Sequence, residues 1–414
     1  MNPQPVVDAC PQVPGRCRRA AGQGLALALA ALLCGATGCA HVPGTEAAPD
    51  DGDVPAAWST DDAAAAGRDT SLARWWLHFG DGTLADLVAQ ALRANPTVLG
   101  AQAALREARA SRDETAATLW PTLTGSASAQ RTGIGRRQAR GGQTTNAFKA
   151  GLDAQWEIDV FGADRSAVDA SEATVRASAA SLGDAQVSLA AEVALQYIAL
   201  RGAQARLAIA SDNLAAQQET LQITAWRNQA GLVTFLELEQ ARAAAEQTAA
   251  LVPALRTRID QASHALAVLA GRPPAGLAAR LGDAVAVPLP GDPLALRLPA
   301  DTLRQRADVR AAEQRVRAAQ AGVRQAQAAR WPALSIGGSL GLGALTLGLL
   351  SHGSSVASSL LGSVSLPVLD GGARAARVDI QQAALEQARS AWRATVLSAL
   401  QEVEDALAAL RDDR

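Results

Sequence analysis

The chain has 414 residues, enough for two or three ordinary domains or one elongated one. Apolar residues make up 49% of it and aromatics only 3%, because Ala and Leu supply the apolar content; that suits long helices with closely approaching backbones better than a thick globular core. A formal net charge of −2 leaves no basic patch of the size nucleic acid requires.

Residues 1–38 read as a targeting segment. Arg16, Arg18 and Arg19 precede an apolar run, 25–33, too short to span a bilayer as a helix. The run leads into CGATGCA, where Ala36, Thr37, Gly38 and Cys39 resemble a bacterial lipobox, in which the cysteine is acylated and becomes the first mature residue; an ordinary cleaved signal with a chance cysteine after it is the alternative. In that pattern Ala40, rather than Asp, after the cysteine implies passage to the outer membrane. Cys10, Cys17 and Cys34 leave with the signal, so the mature chain has no internal disulfide and depends on packing or assembly for stability. Residues 39–82 are the lipidated N-terminal extension.

The rest is an internal repeat, 83–274 and 303–414. Trp120-Pro121 and Trp331-Pro332 each follow a helical pattern and lie 211 residues apart; Glu192 and Glu402, in similar helical stretches, lie 210 apart. In the first copy a short helix near 83–94 precedes Asn95, an expected N-cap, and Pro96, an expected first-turn proline, which open a second helix. Strands are expected at about 121–131 and 147–161 around a polar, Gly-rich loop containing Arg131, Arg136, Arg137 and Arg140, candidates for binding lipid phosphates. A long helical hairpin, 162–270, follows. Its first arm should run from Gly162 to about Gln229, or roughly 100 Å at 1.5 Å per residue. Val193, Leu200, Leu207, Leu214 and Leu221 recur every seven residues, as do Leu238, Ala245, Val252, Ile259 and Leu266 in the returning arm; both are coiled-coil seams. Pro253 should kink the return. A Pro-rich linker is expected at 275–302.

In the second copy no residue from Trp331 to Leu369 carries a formal charge, and a transmembrane helix at 333–350 is the rival to strands there. Five glycines in that span, and alternation of Leu334, Ile336, Leu340 and Leu342 with Ser335, Gly337, Ser339 and Gly341, favour strands at about 332–343 and 356–369. A helix at 371–412 ends the chain. In the first copy FKAGLDAQWEIDVF (148–161) alternates apolar residues with Lys149, Asp153, Gln155, Glu157 and Asp159. A surface sheet packed on a core is the commoner source of such a pattern, but no partner sheet is evident in a chain that otherwise reads as helix. In a membrane barrel the apolar face meets lipid and the ionised face a water-filled lumen, which is expected to place Asp153, Glu157 and Asp159 on the lumen side. Trp156 is a candidate interface anchor. Four strands cannot close a barrel, and hydrocarbon tolerates no free sheet edge, so the barrel must be shared between chains. Two chains would supply eight strands and three would supply twelve. His41, His78, His264 and His352 are scattered, no Gly-rich loop stands between strand and helix, and no nucleophile elbow is present, so no catalytic, cofactor or metal residue is assigned.

The chain resembles the TolC-like outer membrane efflux protein family, in particular the lipoprotein channels of tripartite drug-export pumps. The resemblance rests on the Cys39 lipobox and on WWLHFGDGTLADLVAQALRANP (75–96), WEIDVFG (156–162), AGLVTFLELEQAR (230–242), ALAVLAGRPP (265–274), LRQRADVRAAE (303–313) and LPVLDGGARAARV (366–378). It implies a mainly α fold with membrane β: a periplasmic α-barrel of long coiled-coil helices, and four strands per chain in a shared, twelve-strand transmembrane β-barrel of a trimer. It also implies a periplasmic adaptor and an inner-membrane transporter as partners. The turn at Gly231, Leu232, Val233 and Thr234 then resembles the periplasmic entrance that contacts the adaptor. After Leu410 only RDDR remains, so the second hairpin of the family plan is expected to be missing and the chain to be a truncated form. The expected function is a passive conduit for small toxic compounds; polypeptide export, or a lipid-anchored helical scaffold without a pore, are the alternatives.

Cys39→Ser should abolish metabolic labelling with palmitate. A variant that still carries the label would remove the anchor.

Overall fold

The computed structural model describes residues 72–134, 143–289, 303–349 and 356–413. Cys39 and the expected signal, and likewise Arg136, Arg137 and Arg140, lie outside the described residues. A 3-10 segment (Leu72–Phe79) precedes α1 (Gly82–Ala94) and α2 (Pro96–Ala117). Strands β1 (Thr122–Ile134) and β2 (Gln143–Ile158) follow, then the long helices α3 (Ala163–Gln229) and α4 (Phe235–Leu269). The plan recurs as α5 (Ala307–Ala328), β3 (Ala333–Ala344), β4 (Val356–Ser365) and α6 (Ala373–Asp413). Helices α2 and α5 are each 22 residues long, and each runs through Trp-Pro into a strand. The expected fold class, mainly α with four strands in two tandem repeats, is the one found. The span 333–350 begins as a strand, and no helix among the described residues is long and apolar enough to cross a membrane.

Helix boundaries follow from local chemistry. Asp81 caps α1 by accepting a hydrogen bond from the Leu84 amide at 2.9 Å. Asn95 caps α2 through the Thr97 amide at 2.8 Å, with Pro96 in the first turn where its missing N–H costs nothing. Thr234 and Glu237 form a reciprocal capping box at the start of α4. Helix α3 has 67 residues and α4 has 35; Pro253 lies within α4 without ending it.

The helices stand in a row: α2 packs on α3, α3 on α5, and α5 on α6, with α4 returning along α3. Each of the four in the row adjoins one of the four strands, so the sheet continues as a helical wall. Arg315 and Arg324 of α5 reach Ser181 and Asp169 of α3, both at 3.1 Å. Arg306 ties the start of α5 to Glu402 of α6 at 2.7 Å.

The main core gathers Leu84, Leu87 and Val88 of α1, Val98 of α2, Val193, Tyr197 and Leu200 of α3, and Leu266 of α4. The heptad seam is buried here, and becomes half-buried at Leu207, Leu214 and Leu221 as the hairpin leaves the core. The first described residues of the expected linker carry local helical structure. Pro274–Leu277 and Ala278–Leu281 form two short helical turns, and Leu277 and Leu281 are buried in this core. Their four-residue spacing places both on one side of a turn. Arg201, buried at 2% exposure, holds the segment by donating to the Asp283 carbonyl and the Gln204 side chain, and its guanidinium lies 4.9 Å from the Tyr197 ring centre. The Tyr197 hydroxyl donates to the second Asp81 oxygen at 2.8 Å. Asn95, besides capping α2, donates to the Leu269 carbonyl at the end of α4.

Gly271, next to that junction, has φ +71°, and a Cβ there would fall 2.6 Å from the Ala94 carbonyl oxygen. Gly231 in the α3–α4 turn has φ +73° and open space around it. Gly231→Ala should therefore cost about 1 kcal/mol, the left-handed backbone penalty alone. Gly271→Ala adds a backbone clash and should lower the thermal midpoint, followed by circular dichroism, by clearly more. Equal shifts would refute the close packing of α4 on the α1–α2 junction.

Candidate functional site

The four strands form one antiparallel sheet in the order β1-β2-β3-β4. In an antiparallel pair, residues directly opposite share a face, so the register decides whether the strand patterns add or cancel. They add. Leu152 pairs with Gly125 and Leu340, Trp156 with Ile336, Ile158 with Leu334, and Leu334 with Val364. On the other face Asp153 pairs with Thr124 and Ser339, and Glu157 with Ser335. Ser339 and Ser359 are hydrogen-bonded at 2.8 Å across β3 and β4, and Ser335 and Ser363 at 2.7 Å. The result is one face that is apolar apart from Ser358 and the loop-side residues Arg131, Asn146 and Thr144, backed by one that is mostly polar but includes Leu361, with charge on the polar face supplied by Lys149, Asp153 and Glu157 of β2. Gly151 on this face sits against the β3 backbone, where a Cβ would lie 3.2 Å from the Leu340 carbonyl oxygen. Leu152, Leu340 and Leu360 are all exposed, as are residues on the opposite side, so within one chain neither face is covered.

Several candidates occupy positions the alternation did not indicate. β2 stops at Ile158, so Asp159 lies in the turn into α3 rather than on the polar face. Its side chain is 9% exposed and accepts hydrogen bonds from the Arg165 amide at 2.9 Å and the Arg165 Nε at 3.2 Å. Burial alone would raise this carboxyl; the Arg165 hydrogen bonds outweigh it and hold it below the usual carboxylate range. β4 ends at Ser365, short of the expected 369, because Pro367 cannot donate to a ladder. Arg131 is part of β1, paired with Asn146 on the same side as the apolar band, rather than in the loop. Trp156 donates its indole N–H to the Leu119 carbonyl at 3.0 Å, joining β2 to the end of α2.

The turn between α3 and α4 carries the other candidates. Gly231 takes the left-handed conformation, and the Leu232 amide donates back to the Arg227 carbonyl at 2.8 Å. Asn228 donates to the Val233 carbonyl, and Thr234 is the N-cap of α4. Leu232 projects at 71% exposure beside Trp226, Phe235 and Leu236, which are also exposed. Sequence reasoning did not select these last three. Their signal was available: they are large apolar residues outside the seven-residue seam.

The polar face lies on the strands and the tip and seams lie on α3 and α4, and among the described residues no group of three or more His, Cys, Asp or Glu could hold a metal. Trp226→Ala and similar tip changes leave the sheet untouched, so the sheet can be tested separately. Leu152→Asp should hinder insertion into outer membrane or liposomes, because an acidic group on a face that meets lipid is destabilising, though by less than the roughly 2–4 kcal/mol of an arginine or lysine there, whereas Asp153→Ala should insert normally. Equal behaviour of the two would reject the two-faced assignment.

Comparison with known proteins agrees with this architecture. The pattern of the family described as outer membrane efflux protein matches residues 87–272 and 298–414. Nodulation protein T of Rhizobium leguminosarum bv. viciae is 31% identical over 377 residues, covering 89% of this chain and 76% of that protein. The toluene efflux pump outer membrane protein TtgF of Pseudomonas putida is 29% identical over 406 residues, covering 93% of this chain and 81% of that protein. The solved structure of the outer-membrane channel OprN superposes with a TM-score of 0.81 at 34% identity, covering 87% of this chain and 81% of that one. With matching sequence pattern, relatives and fold, the chain belongs to the outer membrane efflux protein family.

Proposed function

We propose that this protein is the outer-membrane channel of a tripartite efflux system, a passive conduit for small toxic compounds driven by its partners. The observation that carries the reading is the sheet: four strands with one mainly apolar and one mainly polar face, and with outer edges of β1 and β4 that have no partner among the described residues. Such an edge is intolerable in hydrocarbon, and pairing β4 of one copy with β1 of the next removes it. The strands alternate in direction, so that closure is antiparallel and any number of copies gives an even strand count. Three copies give the twelve strands expected from the family resemblance.

In this reading the apolar face meets lipid and the polar face lines the lumen, with Asp153 and Glu157 giving it negative potential. The helical row continues the tube into the periplasm. The turn at Gly231, Leu232, Val233 and Thr234 meets the periplasmic adaptor, which links the channel to an inner-membrane transporter. Acylation of Cys39 adds an anchor in the outer membrane. Export of an apolar compound such as toluene is stated in the name of one relative; for this chain, small toxic compounds are the corresponding proposal.

The purified chain should behave as a trimer by light scattering in detergent and conduct ions across planar bilayers. Leu232→Asp should keep that conductance while losing adaptor co-purification and drug tolerance in cells. A monomer, or an assembly that adds no conductance, would overturn the channel; intact adaptor binding by Leu232→Asp would overturn the tip assignment.

A further inference from the structure

A cavity of about 340 Å³ lies where the strands give way to the helices, bounded by the β2–α3 turn, the end of α5 and the start of α6. Its volume falls in the range of small-molecule sites. Two features of the lining are unusual for a chain with so few aromatics. Phe161 and Trp331 stack within it, with ring centres 5.5 Å apart and planes 15° apart. Phe161 stacks on the indole, yet Trp331, which lines the cavity, remains 59% exposed, so part of the indole is open to a ligand there. The lining also carries both signs of charge: Glu157 and Asp164 from β2 and the start of α3, Arg374 and Arg377 from α6.

These charges do not cancel one another through direct contacts. The nearby Asp159 is already engaged by Arg165. Arg374 donates to the Ala329 carbonyl and lies 4.0 Å from Asp370, which holds it at the edge of the cavity. The ion pairs found among the described residues do not join Glu157 or Asp164 to either arginine. Burial, then the neighbouring Asp159 and Glu157, raise the Asp164 carboxyl, the direction expected of an acid without a cationic partner at contact distance.

We propose that this cleft is a transit site for planar aromatic zwitterions, whose ring stacks on Trp331 while their cationic and anionic groups meet the carboxylates and the guanidiniums. A purely cationic or purely anionic ring leaves one set of lining charges unanswered and binds less well. The inference rests on the channel reading and adds a class of cargo to it.

The test uses the full chain assembled in detergent, with fluorescence anisotropy of rhodamine 110, a planar zwitterionic dye. Saturable binding is expected, with ethidium, a cation, and fluorescein, an anion, each about ten-fold weaker, about 1.4 kcal/mol. Trp331→Ala should weaken rhodamine 110 by roughly ten-fold through loss of stacking. Asp164→Asn and Arg377→Gln should each bring it closer to the singly charged dyes. If Trp331→Ala does not assemble, Phe161→Leu and the two charge variants decide the matter. Equal affinity for the three dyes, or affinity unchanged in every assembled variant, overturns the proposal. Wild-type conductance is measured alongside: a conducting channel without saturable dye binding refutes the transit site alone, and a non-conducting one refutes the channel and this site with it.

Discussion

The edge of a β-sheet is a row of unpaired amides and carbonyls. Water satisfies such a row at a protein surface; hydrocarbon does not, and each stranded group costs several kcal/mol there. Much of the architecture follows from that constraint. The outer edges of β1 and β4 have no partner among the described residues, and in the proposed channel other copies must pair them. The dependence extends to the helices, since the row α2, α3, α5, α6 matches the strand row and any closure of one closes the other.

Specific contacts brace the junction between the sheet and the helical wall. Trp156 bonds the end of α2, Asp159 bonds the first turn of α3, and Arg374 of α6 bonds the end of α5. Each sits at a place where a strand becomes a helix, and where unpaired backbone groups would otherwise accumulate. Farther from the sheet, Asn95, Asp81, Tyr197 and Arg201 tie the short helices and the start of the inter-repeat segment to α3 and α4. These are buried or part-buried polar groups with partners, which makes the core specific in arrangement as well as apolar. The hairpin beyond Ala210 is different. Its seam is half-buried at Leu214, Leu221 and Leu238 and fully buried only at Ala245, so its lower part is the region best suited to bend or separate.

Function divides along the same line. The sheet decides what environment the chain occupies, the hairpin tip presents exposed apolar side chains to whatever it meets, and the junction holds an aromatic and doubly charged cleft. In the proposed channel, specificity lies in the lining and in contacts with partners.

Much of this was legible in the residues. Alternation in 148–158 and 334–342 marked strands with two unlike faces, Asn95-Pro96 marked a helix start, and the seven-residue seam marked α3 and α4. These signals are local: a cap, a turn or a period involves residues a few positions apart, and their chemistry is complete within that window. The sequence by itself determined which elements form and which side of each strand is apolar. Tertiary structure alone decided the register that sets Leu152 beside Leu340 and Asp153 beside Ser339, the withdrawal of Asp159 from the strand by Arg165, the burial of Leu277 and Leu281 at the start of a proline-rich segment, and the meeting of Phe161 with Trp331. Most of these depend on hydrogen bonds and packing between residues far apart along the chain, and even Asp159 answers to the helix start beyond it, so neither composition nor period encodes them.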